Sequence, residues 1–249
     1  RYKQNADGNA VAEMLRARRR TRKKAEADSA VDEDSPAASD KYGTTVPERY
    51  NIAVPGMDLP VVRENAHGRF MDDLYWGFVP QWAQDDKSKI INARAETVAE
   101  KPSFRDSFRL RRCVIPADGF VEWHRAATPK IAYDITLPVG IPLPANALLP
   151  RGVFCFAGLW DRWTHPQTGD VRDGFALLTI AANAQIAAIH DRMPVILTDM
   201  ADIDRWLSRE TGPEDLAAIA ARAAAVAVQM QPAESKPRPA ADDAQGSLF

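Results

Sequence analysis

The chain has 249 residues, a formal net charge of −2 and a pI of about 6.1. These values exclude a uniformly basic nucleic-acid-binding surface, so any contact with nucleic acid has to come from a local groove. Two cysteines, Cys113 and Cys155, are too few for a disulfide framework and lack the paired spacing of a zinc site. The sequence has no apolar run of roughly 18 residues and no secretory signal at its start, so we expect a soluble, cytoplasmic protein without a membrane partner.

The first 44 residues change character twice. Residues 1–7 predict a short extended segment, and residues 8–27 predict a helix that is very basic between Arg16 and Lys24. Such a basic run is usually a solvated helix face. Residues 25–44 contain acidic residues, alanine, serine and proline, and they predict a disordered insertion because they cannot bury enough apolar surface.

Short β-rich runs fill the middle of the chain. They lie at residues 59–62, 74–78, 112–115, 153–160 and 175–180, separated by turn residues. Three short helices are predicted over residues 103–110, 184–189 and 200–207. We therefore predict an α+β fold, rich in β-structure, in which antiparallel sheets curl into a barrel or sandwich and a few short helices pack around them.

Two further boundaries follow from proline content. Residues 138–152 hold four prolines and predict a loop inserted between two strands. After residue 212 the chain is rich in alanine and proline; an alanine-rich stretch at 214–230 favours a helix, but residues 213–249 are predicted to be mostly disordered. The predicted domain thus spans residues 1–212.

Three polar clusters interrupt otherwise apolar runs: 90–97 around Asn92 and Arg94, 117–123 around Glu122, and 189–194 around His190. Buried polar groups are costly unless they are paired, so these clusters either satisfy one another or converge on a substrate. His190 can exchange protons near neutral pH, but a core histidine bonded to the backbone is the ordinary alternative. Glu122 suits general acid catalysis, and its alternative is a carboxylate paired with an arginine.

Residues two apart on a strand face the same side, so Asn92 and Arg94 can hold one polar ligand together or form a structural pair. Trp82 and Trp123 can stack on bases, with Arg94, Arg105 and Arg192 available for phosphates. Tryptophans are nevertheless more often packing residues than stacking platforms.

Taken together, the motifs resemble the SRAP family (SOS-response-associated peptidase) over about residues 49–207. The resemblance rests on Trp-Gly-Phe-Val-Pro-Gln-Trp-Ala at 76–83, Ile-Asn-Ala-Arg-Ala-Glu-Thr at 91–97, Lys-Pro-Ser-Phe-Arg at 101–105, Arg-Arg-Cys-Val-Ile-Pro-Ala-Asp-Gly-Phe-Val-Glu-Trp at 111–123, Phe-Ala-Gly-Leu-Trp at 156–160 and Ile-His-Asp-Arg-Met-Pro at 189–194. It implies a β-rich fold with a groove for single-stranded DNA beside double-stranded DNA, in a nucleoid-associated protein of the DNA damage response.

The resemblance also implies an N-terminal Met-Cys-Gly-Arg, from which the methionine is removed autocatalytically. The α-amine and thiol of the exposed cysteine then form a thiazolidine with the aldehyde of an abasic site. Arg1 matches the arginine of that motif, so the cysteine is expected two residues upstream. Cys113 and Cys155 are expected to be structural, because buried thiols are usually inert.

By position in the matching strings, the resemblance gives catalytic roles to Asn92, Glu122 and His190. It assigns DNA contacts to five residues: Arg1, Trp82, Arg94, Arg105 and Arg192. It implies no metal and no organic cofactor. Two alternatives to the crosslinking function stay open: a thiol peptidase that acts on proteins, and a non-catalytic protein that binds single-stranded DNA.

The chain ends in Gln-Gly-Ser-Leu-Phe, which resembles the short peptides that dock on the bacterial sliding clamp. In such a peptide Gln245 would anchor, and Leu248 and Phe249 would fill an apolar pocket. Five-residue motifs also arise by chance. The sliding clamp is therefore a candidate partner alongside abasic single-stranded DNA.

Overall fold

The computed structural model describes residues 2–3, 15, 18–19, 53–87, 89–138 and 152–233. Thirteen strands are found there: β1 Tyr2–Lys3, β2 Arg18–Arg19, β3 Asp58–Asn65, β4 Gly68–Trp76, β5 Asn92–Arg94, β6 Arg112–Ala117, β7 Gly119–Trp123, β8 Ala132–Thr136, β9 Phe154–Thr164, β10 Val171–Ala181, β11 Arg192–Pro194, β12 Ile196–Leu197 and β13 Gln229–Pro232. The helices are α1 Arg105–Leu110, α2 Met200–Leu207 and α3 Pro213–Ala223, with a 3-10 turn at Ile186–Ala188.

Five strands close a barrel in the order β4-β3-β6-β9-β10, with β10 returning to β4. All neighbours are antiparallel except β4 and β10, which run parallel where Gly174 lies opposite Tyr75 and Phe175 opposite Trp76. The predicted β-rich fold with a barrel is confirmed. The expectation of purely antiparallel sheets is wrong at this closure and at the two short strands β2 and β5, which pair in parallel with β4 and β10.

A smaller antiparallel sheet has the strand order β1-β7-β8-β13. Its two outer strands come from opposite ends of the described chain, while β7 and β8 form a hairpin between them. Phe120 of β7 meets Phe156 of the barrel strand β9 edge to face, with ring centroids 5.8 Å apart. Aromatic contacts of this kind join the small sheet to the barrel.

The strands of the barrel bury apolar side chains together with a few charged groups, among them Arg63. Every residue of β6 is buried, and β9 is buried from Phe154 to Asp161. Arg63 lies among them, bonded to Asp72 and to Asp173, with its guanidinium 4.0 Å above the Trp160 ring. A charge taken out of water requires such partners, so these two carboxylates are part of the core.

Arg112 joins the ends of α1 and α2. Its guanidinium donates to the carbonyls of Phe108 and Arg109 at the end of α1, and to those of Trp206 and Ser208 at the end of α2. The last carbonyls of a helix have no partner within the helix, so one buried side chain satisfies both ends. Burial lowers the pKa of Arg112 to about 10.

The three predicted helices fare differently. The helix predicted over 200–207 has those bounds, and Asp199 caps it by accepting the Ala201 N–H at 2.8 Å. The helix predicted over 103–110 begins only at Arg105. The one predicted over 184–189 is reduced to the 3-10 turn at Ile186–Ala188, at whose start the Asn183 side chain accepts the N–H groups of Gln185 and Ile186.

The fold continues past the predicted domain boundary at residue 212. Helix α3 buries Leu216 and Ile219, and β13 pairs with β8. The part of the predicted tail from 213 to 233 is therefore ordered, because its amphipathic helix and its edge strand both find partners in the domain. Residues 234–249 lie outside the described residues.

Near the N-terminus, the helix predicted over 8–27 is contradicted at Arg18 and Arg19. Their backbone pairs in parallel with Phe70 and Met71 of β4, so a sheet edge overrides the local helix propensity. The predicted insertion at 25–44 and residues 139–151 of the predicted loop lie outside the described residues. No helix within the described part of the chain is long and apolar enough to cross a membrane.

Candidate active site

A cavity of about 100 Å³ opens between the barrel and the small sheet. Its polar lining comes from five places: Asn92 on β5, Glu122 on β7, Thr179 on β10, His190 after the 3-10 turn, and Arg192 on β11. Apolar side chains complete the lining: Trp76, Phe120, Val121, Phe156, Leu177, Met193 and Pro194. The three predicted catalytic residues and one predicted DNA contact thus lie around one cavity.

His190 and Glu122 face each other across this cavity. Nε2 of His190 is 3.7 Å from Oε1 of Glu122, and the side chains are 17% and 25% exposed. Glu122 also accepts the backbone N–H of Trp123 at 3.1 Å. An imidazole and a carboxylate at this separation can exchange a proton with a small group that enters between them.

The other ring nitrogen of His190 is held by the backbone of Arg192. Nδ1 lies 3.0 Å from the Arg192 nitrogen, which donates to it, and 2.9 Å from the Arg192 oxygen. An acceptor and a donor are therefore both available to Nδ1, so either tautomer of the neutral ring is satisfied. Nε2, which faces Glu122, is consequently a hydrogen-bond acceptor in one tautomer and a donor in the other.

The guanidinium of Arg192 is fixed by Glu96 and Thr179. It donates to both carboxylate oxygens of Glu96, at 2.6 and 2.8 Å, and to the Thr179 carbonyl at 2.6 Å. The bond from Arg192 lowers the pKa of Glu96, so the carboxylate is ionised at neutral pH. A bidentate pair of this kind fixes the orientation of the arginine beside the cavity.

Asn92 reaches the cavity from the short strand β5. Its neighbours Ala93 and Arg94 pair in parallel with Leu178 and Thr179 of β10, and Ala93 is buried. Alternation along the strand leaves Asn92 and Arg94 exposed on the same side. The indole of Trp76 donates to the Ile91 carbonyl at 3.1 Å, which fixes the start of this strand.

The family model described as SOS response associated peptidase (SRAP) matches residues 11–236 of the chain. The chain belongs to the SRAP family. The resemblance that the motifs indicated is confirmed, and the cavity lies within this SRAP domain.

Several relatives of this SRAP chain carry the name abasic site processing protein. YoqW of Bacillus subtilis (strain 168) is 41% identical over 170 residues, which cover 67% of this chain and 70% of YoqW. YedK of Escherichia coli (strain K12) is 31% identical over 173 residues, 70% of each chain. HMCES of Gallus gallus is 34% identical over 152 residues, 56% of this chain and 45% of HMCES.

Solved structures share the SRAP fold seen here. A protein from Bacteroides thetaiotaomicron superposes with a TM-score of 0.63 at 25% identity, covering 88% of this chain and 84% of that one. A phage-related protein from Bordetella bronchiseptica gives a TM-score of 0.64 at 20% identity, with 94% and 93% covered, and indicates the fold alone.

The remaining predicted DNA contacts lie outside the cavity lining. Trp82 is 63% exposed on the turn after β4, and Arg94 is exposed on β5. Arg105, the first residue of α1, is exposed and donates to Asp106 at 3.2 Å. Arg1, like the tail residues Gln245, Leu248 and Phe249, lies outside the described residues.

The turn that carries Trp82 is attached to the SRAP barrel at two points. The Trp163 indole donates to the Ala83 carbonyl at 2.8 Å, and Gln81 bonds to the buried carboxylate of Asp161. Asp161 also lies 3.0 Å from Nε of Arg111. Burial raises the pKa of Asp161 to about 6, although Arg111 acts in the opposite direction.

Both cysteines are buried in the barrel wall. Burial raises the pKa of the Cys113 thiol far above its ordinary value and that of Cys155 to about 12. Neither thiol is ionised at neutral pH, so neither is a nucleophile. Within the residues that the structure describes, no three or more His, Cys, Asp or Glu side chains come together to hold a metal ion.

Sequence reasoning missed two residues that shape this site. Glu96 lies in the same motif as Asn92 and Arg94, but its pairing with Arg192 joins positions far apart in the chain. Thr179 of β10 is buried and contributes both its carbonyl and its hydroxyl to Arg192. The polar motif at 90–97 was the available signal for Glu96, because a carboxylate in such a cluster needs a cation as its partner.

Proposed function

We propose that this chain recognises abasic sites in single-stranded DNA and captures them covalently through an N-terminal cysteine two residues before Arg1. The observation that carries the proposal is the meeting of Asn92, Glu122 and His190 at one small cavity with Arg192 beside it. The relatives named abasic site processing proteins support the same substrate.

The register of β1 supports an N-terminal reagent. Tyr2 pairs with Phe120 and Lys3 with Gly119, so the chain runs antiparallel along β7. If this pairing continued upstream, the glycine before Arg1 would lie opposite Glu122. The cysteine before that glycine would lie opposite Trp123, the next residue of β7. An N-terminal amine and thiol would then reach the cavity edge that Glu122 lines.

The chemistry needs an aldehyde, an amine and a thiol. The α-amine of the cysteine adds to C1′ of the ring-opened abasic sugar, and loss of water gives an imine. The thiol sulfur then adds to the imine carbon while the nitrogen gains a proton, which closes a thiazolidine ring. No oxidant or reductant is required, and the atoms lost are those of one water molecule.

Two proton transfers suit the groups at the cavity. Opening of the sugar takes a proton from the C1′ hydroxyl and gives one to the ring oxygen, a task for His190 in its neutral form. Glu122 donates a proton to the hydroxyl that leaves as water. Asn92 would hold the amine or the lesion by hydrogen bonds from its amide.

The cysteine amine is free only after the preceding methionine has been removed. In the proposed self-processing step, water adds to the carbonyl of the Met–Cys peptide bond, and the departing α-amine gains a proton. Glu122 is the group suited to both transfers, since it can take the proton from water and return it to the amine. Peptide-bond hydrolysis and lesion capture would thus use one site in succession.

The DNA surface would extend from the cavity to Trp82 and α1. Exposed Trp82 offers a ring on which a base can stack, and Arg94 and Arg105 offer cations for phosphates. Arg1 would add a further cation near the reagent, and Arg192 contributes beside the cavity. We propose a junction of single- and double-stranded DNA as the preferred form.

A second proposed partner is the bacterial sliding clamp, contacted by Gln245, Leu248 and Phe249. The support is the sequence Gln-Gly-Ser-Leu-Phe at the end of the chain. Calorimetric titration of the purified clamp with the full chain, and with Leu248→Ala and Phe249→Ala together, tests this. Equal affinity of both proteins for the clamp would refute the proposal.

The main test restores Met-Cys-Gly ahead of Arg1 and mixes the purified protein with single-stranded DNA that carries one abasic site. We expect a shifted band that survives denaturation and disappears when the restored cysteine is alanine. Intact mass should show that the methionine is absent. If the methionine is absent and no shifted band forms, the proposal is rejected. Cleavage of peptides without DNA would then favour a peptidase, and no cleavage would favour a non-catalytic binding protein.

A further inference from the structure

Residues 226–232, which we call the strap, connect the small sheet that carries Glu122 to the turn that leads to His190. The strap follows α3 and ends with β13, which pairs with β8 of the small sheet. Tyr133 of β8 lies opposite Pro232 of the strap on one side and opposite Glu122 on the other. The end of the strap is therefore two strands away from the predicted catalytic carboxylate.

The other end of the strap is bonded to the turn that carries His190. The Gln185 side chain donates to the Val228 carbonyl at 2.9 Å and accepts the Val228 N–H at 3.1 Å. This reciprocal pair copies the backbone bonding of a β-bridge with a side-chain amide. Val228 itself is buried, with 3% of its surface exposed, so this end of the strap is fixed in place.

Asn183 strengthens the same connection. Its side-chain nitrogen donates to the Val226 carbonyl at 3.1 Å, and its side-chain oxygen accepts the N–H groups of Gln185 and Ile186. The 3-10 turn that starts there leads directly to His190, whose N–H donates to the Ile186 carbonyl at 2.9 Å. The position of His190 is thus connected to the strap through one short turn.

A second connection between the two halves is more exposed. Arg125, after β7, pairs with Asp191 at 2.6 Å, but the side chains are 60% and 65% exposed. Exposed ion pairs contribute little and weaken with salt. The Arg125 N–H also donates to the Ile189 carbonyl at 3.1 Å, which adds one hydrogen bond to this connection. The connection to the strap has three hydrogen bonds, one from Asn183 and two from Gln185.

We propose that Gln185 is a positioning residue, which sets the separation of His190 and Glu122 by tying the His190 turn to the strap. The residue lies outside the cavity lining and acts through the strap and the small sheet. The inference rests on the proposed function for its catalytic consequence, but the geometry that it concerns can be measured without DNA.

The kinetic test compares Gln185→Ala with the parent, both carrying restored Met-Cys-Gly. The control is Gln231→Ala, which removes an exposed glutamine side chain from the strap and keeps its backbone pairing. We expect the rate constant for crosslinking at saturating DNA to fall about tenfold in Gln185→Ala, while the half-saturating DNA concentration changes less than about twofold. Gln231→Ala should match the parent in both quantities.

Gln185→Met separates hydrogen bonding from packing, because it keeps the length of the side chain and removes the amide. We expect it to lose as much rate as Gln185→Ala. Parental rates in Gln185→Met would overturn the proposal, as would a loss in Gln185→Ala that appears only in the half-saturating concentration.

A second readout uses the four histidines without any DNA. In ring nitrogen NMR spectra, Gln185→Ala should move the His190 signals and leave those of His67 and His165 in place. If the parent fails to crosslink, the proposed function fails, and these spectra alone decide on Gln185. Unchanged His190 signals would reject the positioning role whatever the crosslinking result.

Discussion

Nε2 of His190 lies 3.7 Å from Oε1 of Glu122, although the two residues belong to different sheets. Glu122 belongs to β7 of the small sheet, and His190 lies between β10 and β11, which pair with each other in the larger sheet. Neither sheet alone brings this carboxylate and this imidazole together. Under the proposed function, the relative placement of the two sheets would therefore set the distance between the two proton-transfer groups.

Replacement of Glu122 by glutamine keeps the shape of the side chain and removes its ability to donate and accept a proton. In the chain with restored Met-Cys-Gly, we expect Glu122→Gln to slow crosslinking about 100-fold at saturating DNA. Single-turnover gel assays measure the rate, and Glu210→Gln, an exposed position after α2, serves as the control. A variant that crosslinks at the parental rate would exclude Glu122 as the general acid.

Glu96 and a DNA phosphate would compete for Arg192. Because Glu96 occupies two donors of the guanidinium, Glu96→Gln should make Arg192 more available and tighten binding to single-stranded DNA about threefold to tenfold at low salt. The slope of log affinity against log salt should steepen by about 0.7 if one phosphate contact is gained. Fluorescence anisotropy at several salt concentrations measures both quantities, with Glu100→Gln as the control. Weaker binding would mean that Glu96 orients Arg192 for the phosphate.

Trp82 and Arg105 should affect DNA binding in different ways. Stacking does not depend on charge, so Trp82→Ala should cost about 1–3 kcal/mol of binding free energy with little change in salt slope. Arg105→Ala should reduce the salt slope by about 0.7, and Arg205→Ala on the exposed face of α2 should not. Since Trp82 is 63% exposed, the melting temperature should stay unchanged. An unaltered affinity in Trp82→Ala would remove this residue from the interface.

Arg112 should contribute strongly to stability without any role in DNA binding. Arg112→Leu leaves the carbonyls at the ends of α1 and α2 without their buried donor, which should cost about 3 kcal/mol or more in the free energy of unfolding. Urea denaturation followed by circular dichroism measures this value. Arg109→Leu, at an exposed position of α1, should lower the free energy of unfolding by less than about 1 kcal/mol. Similar losses in both variants would contradict the capping role.

Asp161 should make the stability of the protein depend on pH. Its folded pKa is about 6, whereas an unfolded aspartate titrates near ~3.9, so the native state retains a proton that the unfolded state releases. The free energy of unfolding therefore falls as pH rises from about 4 to about 6, by about 3 kcal/mol from this group. Asp161→Asn should equal the parent below this window and exceed its stability above it. A less stable variant at pH 7 would show that the pair with Arg111 outweighs the cost of burial.

Local patterns predicted the parts of the fold that depend on neighbours in sequence. The β-rich runs at 112–115, 153–160 and 175–180 predicted parts of β6, β9 and β10, and the predicted helix over 200–207 has the bounds of α2. The convergence of Asn92, Glu122 and His190 was expected from the family resemblance, since single strands do not indicate which others they meet.

Long-range pairings could not be predicted from the sequence. The bonds from Arg192 to Glu96 and from Gln185 to Val228 each join positions far apart in the chain. The polar motif around Glu96 indicates a carboxylate that needs a partner but not which one, and Gln185 carries no local signal. The strand at Arg18 and Arg19 formed against helix propensity because it pairs with Phe70 and Met71 of β4, beyond the stretch of β4 that pairs with β10. The small sheet contains strands from both ends of the described chain, so a short stretch of sequence could not indicate which strands would pair in it.

The parallel seam between β4 and β10 has a consequence for how the chain folds. The hairpins β3–β4 and β9–β10 each form from neighbouring residues, but the seam joins segments about a hundred residues apart, so it should close late. A Cβ atom at Gly174 would lie 2.5 Å from the Gly77 carbonyl, which is why only glycine fits where the two hairpins meet. Since β10 leads to His190 and β5 pairs with β10, the cavity lined by Asn92, Glu122 and His190 should form only when this last junction closes.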